Sequence, residues 1–91
     1  MIELDYTTRF KKSLSKLSSD QQLLVRNALK LFVGEPHHQD LDFKKRSGSK
    51  YYTIRADIRL RIAMTKVGDR FYLLELTGNH DDINSLDRQK R

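Results

Sequence analysis

The sequence predicts an α+β fold in which an N-terminal helical hairpin packs on one face of a small, mainly antiparallel sheet. Two amphipathic stripes at helical spacing lie between residues 8 and 34, strict period-two alternation begins at residue 52, and turn residues separate the alternating segments. A chain of 91 residues has room for one such core, so we expect residues 1–91 to form a single domain.

The N-terminal half predicts a strand followed by two helices. Residues 2–5 alternate apolar and acidic side chains, as a short strand does. A first helix over residues 8–18 is indicated by apolar residues at i, i+4 and i+7, with Thr7 or Thr8 as its N-cap. Ser18-Ser19-Asp20 breaks that helix and offers the N-cap of a second one, with Gln21 and Gln22 in the first turn, where a capping box places an amide. The second helix stops at a Gly-Glu-Pro sequence. The apolar stripes consist of Phe10, Leu14 and Leu17 in the first helix and of Leu24, Ala28 and Leu31, flanked by Val25 and Phe32, in the second.

The next segment predicts a β-hairpin with one core face and one cationic face. Even-numbered residues from 52 to 64 are apolar, and most of the odd-numbered residues between them are polar or cationic. The stretch is long for one strand, and only an odd-length loop keeps the alternation in phase. A three-residue loop over 56–58 is therefore expected, and it places Arg55 opposite Arg59 on the cationic face.

Strands are also expected on either side of this hairpin. Residues 41–43 are an apolar patch in a polar connection and a candidate edge strand. Residues 66–70 predict a turn, residues 71–77 the last strand, and the polar residues 81–91 either fray or form a short helix. The resulting order, β-α-α-β-β-β, with short turns between sequential strands, favours an antiparallel sheet.

The positive charge is concentrated in one segment. The net charge is +6, and residues 44–61 carry seven Lys and Arg against one Asp, so this segment accounts for the whole excess. The absence of cysteine excludes disulfides and thiolate metal sites, and no apolar run approaches the length of a membrane span. We expect a cytoplasmic protein without signal peptide or membrane span, without a cofactor, and without a metal site, since His37 and His38 lie in a polar loop.

Three segments resemble the RelE/ParE superfamily of bacterial toxins: residues 51–55 (YYTIR), 58–62 (IRLRI) and 78–83 (GNHDDI). Length, basic charge, helical hairpin and final strands are also similar to those of the superfamily. Within it, the resemblance is to ribonuclease members of the RelE, YoeB and YafQ type. The resemblance implies the toxin of a type II toxin–antitoxin system. Such a toxin is an endoribonuclease (mRNA interferase) that acts on messenger RNA, often in the ribosomal A site, and is held inactive by a cognate antitoxin.

The expected catalytic residues are Arg59, Arg61 and His80. Metal-free RNA cleavage needs a group that takes the 2'-hydroxyl proton, cations for the dianionic phosphorane, and an acid for the 5'-oxygen. The resemblance makes Arg59 the family's strand arginine, and Arg61 shares its face. His80 matches the histidine of ribonuclease members, and imidazole exchanges protons near neutral pH. Asp81 or Asp82 is a candidate to orient its ring.

The expected RNA-binding residues surround the hairpin. Cations in the preceding loop lie where family members place phosphate-binding or catalytic groups. Tyr51 is expected to stack on a base, whereas Tyr52 joins the core. Several ribonuclease members have a tyrosine near the C-terminus for proton transfer, and this chain departs from them because no tyrosine follows Tyr72. The binding set is Lys44, Lys45, Arg46, Lys50, Tyr51 and Arg55.

Two other functions remain open at this point. The superfamily includes DNA gyrase inhibitors, in which a cationic face docks a protein and no acid/base residue is needed. A non-catalytic nucleic-acid-binding module needs only the basic patch. A histidine at the end of the last strand favours the ribonuclease.

Overall fold

The computed structural model describes the backbone of residues 1–88 and the side chains of residues 1–86. Within this part of the chain, five strands form one sheet, two helices cover one face, and a third helix lies on the other. The strands are β1 (Glu3–Tyr6), β2 (Lys44–Lys45), β3 (Tyr51–Asp57), β4 (Leu60–Lys66) and β5 (Phe71–Gly78). The helices are α1 (Thr8–Ser15), α2 (Ser19–Gly34) and α3 (His80–Arg88), and a 3₁₀ turn covers Gln39–Leu41.

The sheet confirms the predicted fold class. Its strand order is β1-β5-β4-β3-β2, so β4 lies in the middle. Neighbouring strands are antiparallel except β1 and β5, which are parallel. The pairing of β1 with β5 is possible because the helical hairpin carries the chain from the first strand across the sheet face. Within the described residues, no helix has the length and apolar character needed to cross a bilayer.

The helix boundaries follow from side-chain caps. Thr7 is the N-cap of α1, and its hydroxyl accepts a hydrogen bond of 3.0 Å from the backbone N–H of Phe10. Ser18 and Gln21 form the predicted capping box of α2, with N···O distances of 3.2 and 3.1 Å. The first helix ends at Ser15 rather than at residue 18, because Ser18 must take an extended backbone to cap α2.

The buried stripe of α2 is rotated slightly from the predicted one. Val25, Ala28 and Phe32 are buried, whereas Leu24 and Leu31 are only half-buried. An aromatic cluster explains the rotation, since the ring of Phe32 packs edge-on against other rings of the core. The main core, between the helical hairpin and the sheet, consists of Phe10, Val25, Ala28, Phe32, Leu41, Ile54, Leu60, Ile62, Met64, Tyr72 and Leu74.

The predicted edge strand over residues 41–43 is wrong by a few positions. Leu41 is buried at the end of the 3₁₀ turn, and Asp42 has a left-handed backbone with φ of 47°. The edge strand is β2, which pairs with Thr53 and Tyr52 of β3. Leu41, in the 3₁₀ turn, and Phe43 lie outside the sheet, and both side chains pack against the main core. Their apolar character reflects this packing and does not indicate a strand.

The predicted three-residue loop of the hairpin is also wrong. Arg55 pairs with Arg61, not with Arg59, and the register shifts by one residue at Ala56. The bulge residue Ala56 and the two turn residues, Ile58 and Arg59, together make three. This odd number keeps the apolar alternation in phase on the two strands. Arg59 therefore lies in the turn and not on a strand.

The opposite face of the sheet carries a second, small core. Part of the predicted cationic face is covered by α3, which packs on Tyr51 and Ala63. The short helix is thus the correct alternative for the C-terminal segment as far as residue 88, and residues 89–91 lie outside the described residues. The second core consists of Tyr51, Ala63, Ile83 and Leu86, with Leu76 packed against it.

A bulge in β5 brings the chain to that second face. Leu74 and Leu76 pair with consecutive residues of β4, so Glu75 is an extra residue between them. Leu74 packs in the main core, whereas Leu76 packs in the second. The Glu75 carboxylate is held by Arg9 at 3.2 Å and accepts a hydrogen bond of 3.0 Å from the Thr65 hydroxyl.

The rotation of α2 gives a stability prediction. Phe32→Ala should lower the free energy of unfolding by about 3 to 5 kcal/mol, since it leaves a cavity among packed rings. Leu23→Ala, on the same helix but 57% exposed, should stay within about 0.5 kcal/mol of wild type. Urea denaturation monitored by circular dichroism measures both. Similar losses in the two variants would contradict the observed burial.

Candidate functional site

Arg59, Arg61 and His80 line one surface depression of about 390 Å³ near the β3–β4 turn. We call it the turn depression. The structure therefore brings the three predicted catalytic residues together, on the sheet face opposite the helical hairpin. The other residues that line the turn depression are Ile58, Asn79 and Asp81.

Sheet register explains this convergence. Arg61 of β4 pairs with Gly78, the last residue of β5, and the Thr77 hydroxyl donates a hydrogen bond of 2.9 Å to the Arg61 carbonyl. His80 follows Gly78 by two residues, so the start of α3 lies beside Arg61. The turn that carries Arg59 lies immediately before β4, on the same side of the site.

Reciprocal capping fixes the start of α3. The Asn79 side chain accepts a hydrogen bond of 2.9 Å from the Asp82 backbone N–H, and the Asp82 carboxylate accepts one of 3.0 Å from the Asn79 N–H. His80 is the first residue of the helix and is exposed. Its side chain has no hydrogen bond or ion pair with the side chains or backbone that the structure describes. The predicted orientation of its ring by Asp81 or Asp82 is thus not observed, since the Asp82 carboxylate caps the helix and Asp81 forms no hydrogen bond or ion pair with the ring.

Arg61 is engaged by the turn itself. Its Nη1 donates to the backbone carbonyls of Asp57, Ile58 and Leu60 at 2.7, 3.2 and 3.3 Å. Arg59, by contrast, is exposed, and within the described residues its guanidinium has no partner. The cationic donor that faces the depression without an internal partner is therefore Arg59, which suits an external anion such as a phosphate.

The predicted phosphate-binding lysines form a separate surface. Residues 45–50, which we call the basic loop, line a depression of about 480 Å³. The basic loop and the turn depression lie at opposite ends of β3, whose seven residues span roughly 23 Å. Several of these cations already have partners. Lys44 pairs with Asp42 at 3.3 Å, Arg46 donates to Asn84 at 2.7 Å, and the Lys50 ammonium lies 5.5 Å from the Tyr51 ring centre.

Two of the predicted binding residues lie elsewhere. Tyr51 is 9% exposed under α3, so the prediction that its ring is free to stack on a base is wrong. Tyr52, as predicted, packs against the main core. Arg55 turns away from the turn depression, and its Nε donates to the Asp40 carbonyl at 3.3 Å.

Sequence reasoning missed Ile58 and Asn79. Ile58 is 78% exposed at the turn. The sequence places it in the predicted loop, but its apolar side chain gives no signal that it lines a functional site. Asn79 could have been found, because Asn-x-x-Asp before an apolar residue is a helix-capping pattern. Among the side chains that the structure describes, no group of three metal-ligating residues occurs. His38 instead accepts a hydrogen bond of 3.1 Å from the Asp40 N–H.

Comparison with known proteins gives structural likeness without sequence similarity. No protein-family model matches the sequence, and no curated protein matches it. YafQ from E. coli strain BL21(DE3) superposes with a TM-score of 0.70 at 13% identity, over 91% of this chain and 98% of YafQ. In the RelB–RelE antitoxin–toxin complex from Methanococcus jannaschii, the matched chain gives 0.69 at 18% identity, over 90% of this chain and 96% of that one.

A YoeB/ParE toxin from Agrobacterium tumefaciens is similar as well. Its TM-score is 0.69 at 9% identity, and the match covers 87% of this chain and 99% of the toxin. These likenesses confirm that the chain has the RelE-like toxin fold that its sequence resembles.

The cap of α3 gives a prediction for the geometry of the site. A Cβ at Gly78 would lie 2.8 Å from the Cβ of Asp82, so Gly78→Ala should displace the first turn of α3. We expect a loss of about 1 to 3 kcal/mol in unfolding free energy and shifted amide resonances at His80.

A second glycine provides the control. A Cβ at Gly34 meets nothing within 4 Å, so Gly34→Ala should leave stability unchanged or slightly raised. Denaturation and two-dimensional NMR measure both variants. Unshifted His80 resonances in Gly78→Ala would mean that the cap does not set the histidine's position.

Proposed function

We propose that this chain is the toxin of a type II toxin–antitoxin pair and that it is a metal-independent endoribonuclease acting on messenger RNA. The observation that carries the proposal is the turn depression, where an arginine and a histidine without side-chain partners among the described residues line one concave surface. The RelE-like toxin fold supports the toxin assignment. The ribonuclease assignment rests on the chemistry of the two side chains.

The chemistry follows from what those groups can do. The 2'-oxygen attacks the adjacent phosphorus, the bond to the 5'-oxygen breaks, and one proton moves from the nucleophile while another reaches the leaving group. Arg59 offers a forked donor to the phosphorane oxygens as negative charge builds up. His80 transfers one proton, a contribution of about 10²-fold to 10⁴-fold. Asp81 is the other proton-accepting side chain that lines the depression.

The basic loop extends the proposed RNA surface. Because it lies at the far end of β3, it cannot hold the phosphate that reacts at the turn depression. It suits phosphates several nucleotides away, as an extended strand or a ribosome-bound message would present them. Lys45 is the cation of this loop whose side chain has no partner within the described residues.

The proposed partner is a cognate antitoxin. RelE from Methanococcus jannaschii and YafQ from E. coli were each solved in complex with an antitoxin. A net charge of +6 favours an acidic segment as the inhibitor. We place this pair in the cytoplasm, where messenger RNA and ribosomes are found, and treat residues 1–91 as one domain.

Replacement of His80 tests the assignment. Induced wild type should arrest growth and produce new 5' ends in cellular RNA, whereas His80→Gln should lower cleavage by about 10²-fold or more with little change in RNA binding. His37→Gln, an exposed histidine outside the depression, is the matched control and should behave as wild type. Mapped 5' ends and an RNA-binding titration supply the readouts.

Each other outcome has a defined meaning. Equal loss of binding and cleavage in His80→Gln would remove its proton-transfer role. Growth arrest with intact RNA would move the assignment to a gyrase inhibitor of the same fold. Neither arrest nor cleavage would leave a nucleic-acid-binding module.

Arg59 provides a second, independent test. Arg59→Ala should leave a folded domain and reduce cleavage by about 10²-fold to 10³-fold, since it removes the donor for the developing charge. Arg70→Ala removes an exposed arginine from the β4–β5 turn and should cleave normally. Circular dichroism confirms folding, and single-turnover cleavage of an RNA oligonucleotide gives the rates. Full activity of Arg59→Ala would disprove the role.

A further inference from the structure

We propose that Arg61 is a positioning residue, which holds the β3–β4 turn in the shape that aims Arg59 at the reacting phosphate. The inference rests on the proposed function and gives one of the two arginines in the depression a different role. Sequence alone treats Arg59 and Arg61 as equivalent cations on one face. The structure separates them by what their guanidinium groups contact.

The contacts of Arg61 point inward to the turn. A single nitrogen, Nη1, lies 2.7 Å from the Asp57 carbonyl, 3.2 Å from that of Ile58 and 3.3 Å from that of Leu60. Three carbonyl oxygens that converge on one point repel each other unless a cationic donor lies between them. Arg61 supplies that donor, and the three carbonyls lie before, within and after the turn.

The anchor of this clamp is rigid. The Arg61 backbone pairs with Arg55 on one side and with Gly78 on the other, and its carbonyl accepts a hydrogen bond from Thr77. The turn is the less regular partner, because the bulge at Ala56 interrupts the ladder just before it. The Arg61 side chain therefore ties the backbone of the turn to the fixed position of β4.

The turn carries two groups into the turn depression. Ile58 and Arg59 are its two residues; both line the depression, and both are exposed. The Ile58 side chain is apolar, and the Arg59 guanidinium has no hydrogen bond or ion pair among the side chains that the structure describes, so the positions of both depend on the backbone beneath them. A catalytic group displaced by about 1 Å can lose about 10²-fold in rate, so the clamp is expected to affect turnover.

The two roles predict different responses to lysine. A guanidinium that binds phosphate donates hydrogen bonds from two nitrogens in a planar fork, and an ammonium cannot reproduce that geometry. The clamp uses one nitrogen, and an ammonium has three donors for the three carbonyls. Arg61→Lys should therefore retain most of the kcat, whereas Arg61→Met, which keeps the aliphatic stem, should lose about 10²-fold.

A double-mutant cycle with Arg59 makes the test specific. If Arg61 acts through Arg59, Arg61→Met should lower kcat by less than about twofold once Arg59 is already alanine. If Arg61 binds the phosphate independently, its full loss should recur in that background. Arg70→Met, in the other turn, is the control for removal of an arginine. Additive losses together with a failed lysine rescue would overturn the proposal.

Amide hydrogen exchange at residues 57–60 tests the clamp without any activity assay. Exchange should be faster in Arg61→Met than in wild type, Arg61→Lys and Arg70→Met, because the turn opens more often. Wild-type protein that cleaves no RNA would contradict the proposed function, while faster exchange would still support the clamp. Unchanged exchange in Arg61→Met would overturn the positioning role even if the protein is a ribonuclease.

Discussion

The structure depends above all on the register of β4, the middle strand. Ile62, Ala63 and Met64 are fully buried, with the helical hairpin on one face and α3 on the other. A slip of one residue would exchange the two faces, so packing specifies the register strongly. The same register sets Arg61 beside Gly78 and thereby fixes where α3 begins. The site is a consequence of core packing, because the strand that fills the core also carries Arg61.

The bulge at Glu75 makes the two-sided arrangement possible. Without an extra residue, β5 would keep Leu74 and Leu76 on the same face and would direct the following chain toward the helical hairpin. The bulge interrupts the regular pairing of β5 with β4. The Glu75 carboxylate is mostly shielded from solvent, and burial of a charged group costs free energy. Arg9 and Thr65 offset that cost by hydrogen bonding to it. An ion pair from α1 thus supports the course of the chain into α3.

The sequence predicts the fold well where a feature repeats or has a local side-chain cause. Alternation located the hairpin, and the Ser18–Gln21 box located the start of α2, because period and capping are short-range effects. Bulges have no such pattern, so the sequence put Arg59 on a strand. The burial of Tyr51 was missed for another reason. It depends on two apolar residues, Ile83 and Leu86, in an otherwise polar segment, and their partner is distant in sequence.

The candidate site depends on which cations remain without internal partners, not on how many the segment contains. Sequence counts seven Lys and Arg between residues 44 and 61, yet most of them contact the protein's own carbonyls, side chains or rings. Those contacts shape loops and turns, and they reduce what each cation can offer a phosphate. Arg59 and Lys45 keep their full hydrogen-bonding capacity among the described residues. Arg59 shares its depression with His80, which also has no side-chain partner among the described residues. The proposed function therefore assigns the chemistry to the turn depression and RNA attachment to the basic loop.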